Sequence, residues 1–217
     1  MTRAAVRVRP VGKGDWELVE QLFGPRGACA GCWCMAWRLS RARWEAGRGA
    51  PNRRALKRLV QRGGPLGVLA LVREETVDEG ARERAVGWCS AAPRADFVAL
   101  ETKRSLATDW DERTWSVTCF FVAKDWRKRG LGRRLLEGAV RLARTHGATR
   151  VEGYPVPPPR AGGELPAAFA WTGLPAVFER CGFSPLAETP GKRPIHVKTL
   201  AARKGRRGGR RSATRAK

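Results

Sequence analysis

The sequence predicts an α/β domain, helices flanking a central sheet, followed by a basic tail. Three observations carry that prediction. Short apolar, β-branched runs alternate along the chain with segments of helical periodicity. Two of those runs, Leu66–Val72 and Ala85–Ala91, are separated by a charged stretch and read as an antiparallel pair. The most strand-like run, Trp115–Ala123, leads into a glycine-bearing amphipathic helix.

The elements follow in order. Ala4–Val11 alternates small or apolar residues with arginine and reads as a first strand. Asp15 is placed to cap a helix that runs through Phe23 and stops at Gly24-Pro25. A second helix over Asn52–Gln61 sets Leu56, Leu59 and Val60 on one face and ends at Gly63-Gly64-Pro65. Arg73–Arg84 reads as the exposed connection of the antiparallel pair. In Gly130–Thr145, Leu131, Leu135, Ala139 and Leu142 recur at helical spacing. Ala148–Tyr154 reads as a strand, Pro155–Pro166 as a loop, and Thr172 to Arg180 as a short helix stopped by Gly182. Strands are expected near Phe183–Ala187 and Pro194–Thr199. From Ala201 onward there are eight Lys or Arg and no acidic residue, which sets the domain at residues 1–200 and a disordered basic tail at 201–217.

Charge bounds the partners. The 43 Lys and Arg outnumber the 20 Asp and Glu, and a field of +23 draws phosphates, anionic cofactors and nucleic acid while disfavouring polycationic acceptors. Arginine dominates lysine, and Ile195, Asn52 and Tyr154 are the only residues of their types, a bias that fits a GC-rich bacterial genome and makes the basicity partly compositional. Two function classes stay open: an enzyme with an anionic cofactor, and a nucleic-acid-associated protein using the tail. Met1–Asp15 lacks the apolar run of a signal peptide, and no stretch approaches the roughly 20 apolar residues of a membrane span, so a cytoplasmic protein is expected. Its six cysteines then read as thiols before disulfides.

The sharpest motif is Arg127-Lys128-Arg129-Gly130-Leu131-Gly132 at the start of that amphipathic helix. Glycines let backbone approach a ligand, and the unpaired first-turn N–H groups at the positive helix end make an anion site to which Arg127, Lys128, Arg129 and Arg133 add charge. A P-loop needs Gly-Lys-Ser/Thr here, and a dinucleotide fingerprint needs a third small residue where Leu135 stands, so neither fits.

Val122 followed by Arg127-x-x-Gly130-x-Gly132 resembles the acetyl-CoA motif of the GNAT superfamily of N-acetyltransferases. Ala176-Val177-Phe178-Glu179-Arg180-Cys181-Gly182-Phe183 is similar to the later helix-to-strand signature of that family, and the order agrees over roughly Val6 to Leu200. Cys32-Trp33-Cys34-Met35 with Trp37-Arg38, Gly87-Trp88-Cys89 and Gly153-Tyr154-Pro155 resemble a bacterial subgroup within it. The resemblance implies a mixed, mainly antiparallel sheet whose fourth and fifth strands splay to admit pantetheine. It implies that amides of Arg129, Gly130, Leu131, Gly132 and Arg133 hold the pyrophosphate of acetyl-CoA, and that backbone groups of Phe121 and Val122 pair with pantetheine. It also implies an N–H near Val122 polarising the thioester carbonyl, and direct attack by a primary amine of an unknown acceptor in a ternary complex.

Direct attack calls for a proton acceptor and a donor to the leaving thiolate. The family's usual tyrosine is replaced here by Phe178. Tyr154 is the candidate acid, against the reading of a packed aromatic. Glu152, two residues earlier and so on the same face of a strand, is the candidate base, against a salt-bridged carboxylate. His146 beside Gly147 reads as a helix end, His196 as a strand residue, and Cys119 as a small buried residue rather than a nucleophile. Cys29, Cys32 and Cys34 supply three thiols where tetrahedral zinc needs four ligands, so no metal is expected. By resemblance Trp33, Met35, Trp37 and Arg38 line the acceptor pocket, with the alternative that the tryptophans are core.

Overall fold

The computed structural model describes residues 5–76, 80–156, 170–189, 191 and 193–201. Among them β1 (Arg7–Pro10), β2 (Gly67–Thr76), β3 (Gly80–Pro93), β4 (Thr114–Val122), β5 (Arg150–Gly153), β6 (Ser184–Pro185) and β7 (His196–Thr199) form one sheet. The strand order is β1-β2-β3-β4-β5-β7-β6, and only β4 and β5 run parallel. The sheet is therefore mixed and mainly antiparallel, as the resemblance implied.

The helices are α1 (Trp16–Phe23), α2 (Arg41–Ala46), α3 (Ala50–Arg62), α4 (Val98–Thr102), α5 (Leu131–Thr145) and α6 (Pro175–Arg180). α5 lays its apolar stripe, Leu131, Leu135, Leu136, Ala139 and Leu142, against Val68, Ala70, Val86 and Val117 on one face of the sheet. α1 and α3 cover the other face, where Trp16, Val19, Phe23, Leu56 and Val60 pack with Leu69, Leu71 and Trp88. A third apolar cluster beyond β4 holds Trp37, Phe97, Leu100, Tyr154 and Ile195.

Several boundaries differ from expectation for physical reasons. The charged stretch Arg73–Arg84 is mostly strand, because opposite charges face each other across the ladder at Arg73–Glu83 and Glu74–Arg82 and a two-stranded extension needs no buried face. α2 and α4 span too few residues to show a period; α2 is marked only by Ser40, whose hydroxyl accepts the Arg43 N–H at 3.4 Å. Asp15 precedes α1 but does not cap its amides. Its carboxylate accepts from the Gly12 N–H at 2.6 Å and from Arg9 Nη2 at 2.7 Å, tying β1 to the helix start. Residues 157–169, most of the Pro155–Pro166 loop, and residues 202–217, the basic tail on which nucleic-acid association would rest, lie outside the described residues. No described helix is long and apolar enough to cross a membrane.

Candidate active site

β4 and β5 pair from Thr114–Arg150 to Val117–Gly153, and there the pairing stops. β4 continues to Val122 alongside β3 alone. Phe178 of α6 packs where the strands part: a Cβ on Gly153 would stand 2.0 Å from its Cε1. Its ring is fully buried and meets Phe120 and Phe183 edge-on, centroids 6.0 and 5.2 Å apart. The phenylalanine at the signature's tyrosine position thus packs as a wedge.

Backbone groups alternate sides along β4. The Ala123 N–H donates to Val86 of β3 at 3.0 Å, so residues 121 and 123 face β3. The Phe120 N–H donates to the Trp171 carbonyl at 2.6 Å, and the Val122 carbonyl accepts from Arg127 Nε at 3.2 Å, so 120 and 122 face the gap. This corrects the expected backbone pair. Val122 stands at the open edge, whereas strand alternation turns the Phe121 amide away, and Phe120 takes its place.

The chain leaves β4 through a turn in which Lys128 has φ 59° and Gly130, the N-cap of α5, has φ 74°. Only glycine adopts such a φ without a steric cost. No side chain caps this end of α5, so the first-turn amides of Leu131, Gly132 and Arg133 point outward without intrahelical acceptors. The guanidinium of Arg129 stacks on Trp126 at 4.9 Å, and Arg133 pairs with Glu137 at 2.8 Å. A cavity of about 510 Å³ opens beside Arg129, Gly130, Leu131 and Arg133, while Arg127 turns back to β4.

A second cavity, about 540 Å³, lies on the α1 side of β4. Cys119, Phe120 and Phe121 form its floor, Trp37, Trp44 and Trp171 its walls, and Arg41, Glu45, Arg48 and Lys103 also face it. Of the four expected acceptor residues only Trp37 lines it. Trp33 is 3% exposed and packs on Trp16 and Phe23, with centroids 5.9 and 5.8 Å away; Met35 is core beside them. Arg38 is buried, 3.4 Å from Asp96 and 4.7 Å from the centre of the Phe97 ring. The reason is local: left-handed Trp33 (φ 47°) and Cys34 (φ 55°) coil the segment so that most of it turns inward. Arg41 and Trp44 carry no periodic signal because α2 is too short to show one, and Arg48 lies in the turn that follows it.

Tyr154 and Glu152 do share a face, and the Tyr154 hydroxyl donates to Glu152 Oε2 at 2.9 Å. They do not reach the cavity. Both are 0% exposed, and Trp37 stacks over Tyr154 with centroids 5.7 Å apart. Glu152 also accepts from Thr108 (2.9 Å) and Arg94 (3.3 Å) and is ion-paired with Arg150 (2.9 Å). The Tyr154 phenol, shared with Ser116 at 2.9 Å, is pushed well above its ordinary pKa by burial first and by Glu152 next. This placement does not fit the expected roles of Tyr154 as acid and Glu152 as base: a network sealed from solvent offers no face to an incoming amine or a thiolate. His146 bonds the Leu142 carbonyl at 3.0 Å, and buried His196 lies 3.5 Å from Glu179.

The thiols are the remaining chemistry of the cavity. Cys34 accepts from Trp88 Nε1 at 3.1 Å, and hydrogen bonding from Cys119, against the opposing effect of burial, holds its pKa below the usual thiol value. Cys119 is raised well above it by that same bond and by burial. Among the described residues no three His, Cys, Asp or Glu side chains converge as metal ligands.

Comparison with known proteins agrees with this architecture. A model of the acetyltransferase (GNAT) family matches residues 34–156. The structure of yncA from Salmonella typhimurium with its cofactor acetyl-CoA is similar in fold, with a TM-score of 0.50 at 15% identity, covering 93% of this chain and 97% of that one. Mosquito arylalkylamine N-acetyltransferase like 5b gives a TM-score of 0.51 at 13% identity, over 90% and 100% of the two chains. No curated protein sequence matches.

Proposed function

The chain belongs to the GNAT family of acetyl-CoA-dependent acetyltransferases, and on that premise we propose that it transfers the acetyl group to a primary amine held in the β4 cavity, by direct attack in a ternary complex. One observation carries the reading: Phe120 and Trp171 border both the gap between β4 and β5 and the aromatic cavity. A ligand lying in the gap would therefore present its end to that cavity.

The residues fit the cofactor. Amides from Arg129 to Arg133 at the uncapped end of α5 suit a pyrophosphate, with Lys128 and Arg127 adding charge. The gap-facing edges of Phe120 and Val122 suit the amides of a pantetheine arm. When bound, acetyl-CoA supplies an activated acyl thioester. The Phe120 N–H is held by the Trp171 carbonyl, so the N–H we assign to the thioester oxygen is that of Val122, on the same gap-facing edge. The aromatic walls orient the amine and thin out water. Glu152, Tyr154 and Arg94 act one layer behind, holding β4 and β5 at the angle that keeps the gap open. The domain extends to Leu200, whose N–H closes on the Thr149 carbonyl at 2.7 Å.

Thermal stability with and without acetyl-CoA tests the reading. At 100 times its dissociation constant a ligand of the folded state adds about 2.7 kcal/mol, a rise of about 5–10 °C for a domain of this size. Gly132→Val, at a helical position where an added Cβ meets nothing closer than 3.9 Å, should fold yet lose the shift. No shift in the parent at saturating acetyl-CoA would overturn the proposal.

A further inference from the structure

We propose that the acceptor is a small amino acid with a flat apolar side chain: a primary amine on an aromatic or branched body that also carries a carboxylate. This rests on the acetyl-transfer reading and names its substrate class.

Two features of the cavity ask for different things. The aromatic lining, Trp37, Trp44 and Trp171 with Phe121 of the floor, calls for an apolar body. The charges around it are mostly positive. Arg41, Arg48 and Lys103 face the cavity against one carboxylate, Glu45, which Arg41 Nε already engages at 3.0 Å. Arg48 and Lys103 are exposed, and each rests on a ring, 4.6 Å over Trp44 and 4.3 Å over Trp37. Neither forms an ion pair among the described residues.

The crowding is felt by the lysine itself. Lys103, exposed along its length but partly desolvated where its ammonium lies over Trp37, is held below its ordinary pKa by that desolvation first, and then by the charges of Arg193 and Arg41. A site whose cations repel one another gains by receiving an anion. An acceptor carrying a second ammonium, such as a diamine, would add to the repulsion. An amino acid brings a carboxylate to Arg48 and Lys103 while its side chain fills the aromatic walls and its amine turns toward Phe120. Arg38, the sequence-level candidate for carboxylate binding, is buried against Asp96 and Phe97 and does not line the cavity.

The test uses acceptors that differ only in the carboxylate: phenylalanine against phenethylamine, and tryptophan against tryptamine, with kcat/KM read from release of the CoA thiol. The amino acids should be favoured by about tenfold, the scale of one or two partly screened ion pairs, and the advantage should shrink as salt is raised. Arg48→Gln and Lys103→Gln should each erode the preference several-fold by raising KM for the amino acid with little change in kcat, with the acetyl-CoA thermal shift retained. Equal or better use of the decarboxylated amines, or variants that leave the ratio intact, would overturn the proposal.

Where acetyl-CoA raises the melting temperature but no acceptor turns over, calorimetry with N-acetylphenylalanine and N-acetylphenethylamine decides. Preference for the acid supports the proposal; no binding or no preference overturns the substrate class and leaves the cofactor site standing. Absence of the acetyl-CoA shift is instead the failure of the acetyl-transfer reading itself.

Discussion

Glu152→Gln separates a buried strut from a catalytic base. The carboxylate accepts from Tyr154 and Thr108 at 2.9 Å each and from Arg94 at 3.3 Å, and is ion-paired with Arg150 at 2.9 Å, with no exposure to solvent. An amide keeps the volume, removes the charge and places an NH2 group among four donors. Breaking a buried pair from one side costs about 3–5 kcal/mol. Arg94 keeps Glu101 at 2.7 Å and Arg150 keeps Asp109 at 3.0 Å, so the lower end, about 3 kcal/mol, is expected. For a domain of this size that lowers Tm by about 6–12 °C. Turnover of acetyl-CoA, normalised to the folded fraction, should stay within about an order of magnitude of the parent, because loss of a general base costs about 10²–10⁴. Unfolding followed by tryptophan fluorescence, alongside that turnover, gives both numbers. A variant with unchanged Tm and a hundredfold loss of kcat would refute the assignment and return Glu152 to the chemistry.

Three further outcomes are expected. Tyr154→Phe loses its bonds to Ser116 and Glu152 and should cost about 1–2 kcal/mol in denaturant unfolding, with kcat retained; loss of the alkaline limb of the pH–rate profile would instead mark Tyr154 as the proton donor. Cys119→Ala removes the hydrogen bond that most lowers the Cys34 pKa, so that pKa rises and alkylation of Cys34 at neutral pH, read by peptide mass, should slow; an unchanged rate would mean that Trp88, Arg38 and Ser90 set that value without Cys119. Burial pushes the Asp15 carboxyl up, but Arg9 and the Gly12 amide together hold it below its ordinary value. Its contribution is present above the unfolded pKa and lost as pH falls through the lower folded one, so Asp15→Asn should destabilise the protein by about 1–2 kcal/mol at neutral pH and flatten the loss of stability below about pH 4. A parallel acid limb in the variant would place that loss elsewhere.

The acceptor side of the site was the least legible, and α2 shows why. Six residues carry less than two turns, so Arg41 and Trp44 have no period to betray them, Arg48 lies in the turn beyond, and their place on the cavity follows only from how the segment packs beside β4. Trp33 and Met35 stood out by residue type, yet side-chain direction in a coil of left-handed residues is set by backbone angles that no spacing rule encodes. Glu152 and Tyr154 show the complementary limit. Period-2 alternation correctly put them on one face, but which face is sealed depends on Arg94, 58 residues away along the chain, and on Trp37.

By itself the sequence determined what short-range physics controls: the apolar stripe of α5, the β-branched run of β4, and the glycine turn joining them that leaves the first amides of α5 uncapped. These features are made of local backbone, so they are written in neighbouring residues. The tertiary structure alone decided where β4 and β5 part, which backbone edge is left open, and which charges meet at the cavity. Those features arise from contacts between distant segments, Phe178 against Gly153 and Lys103 near Arg41 and Arg193, whose energies depend on distances that only folding sets.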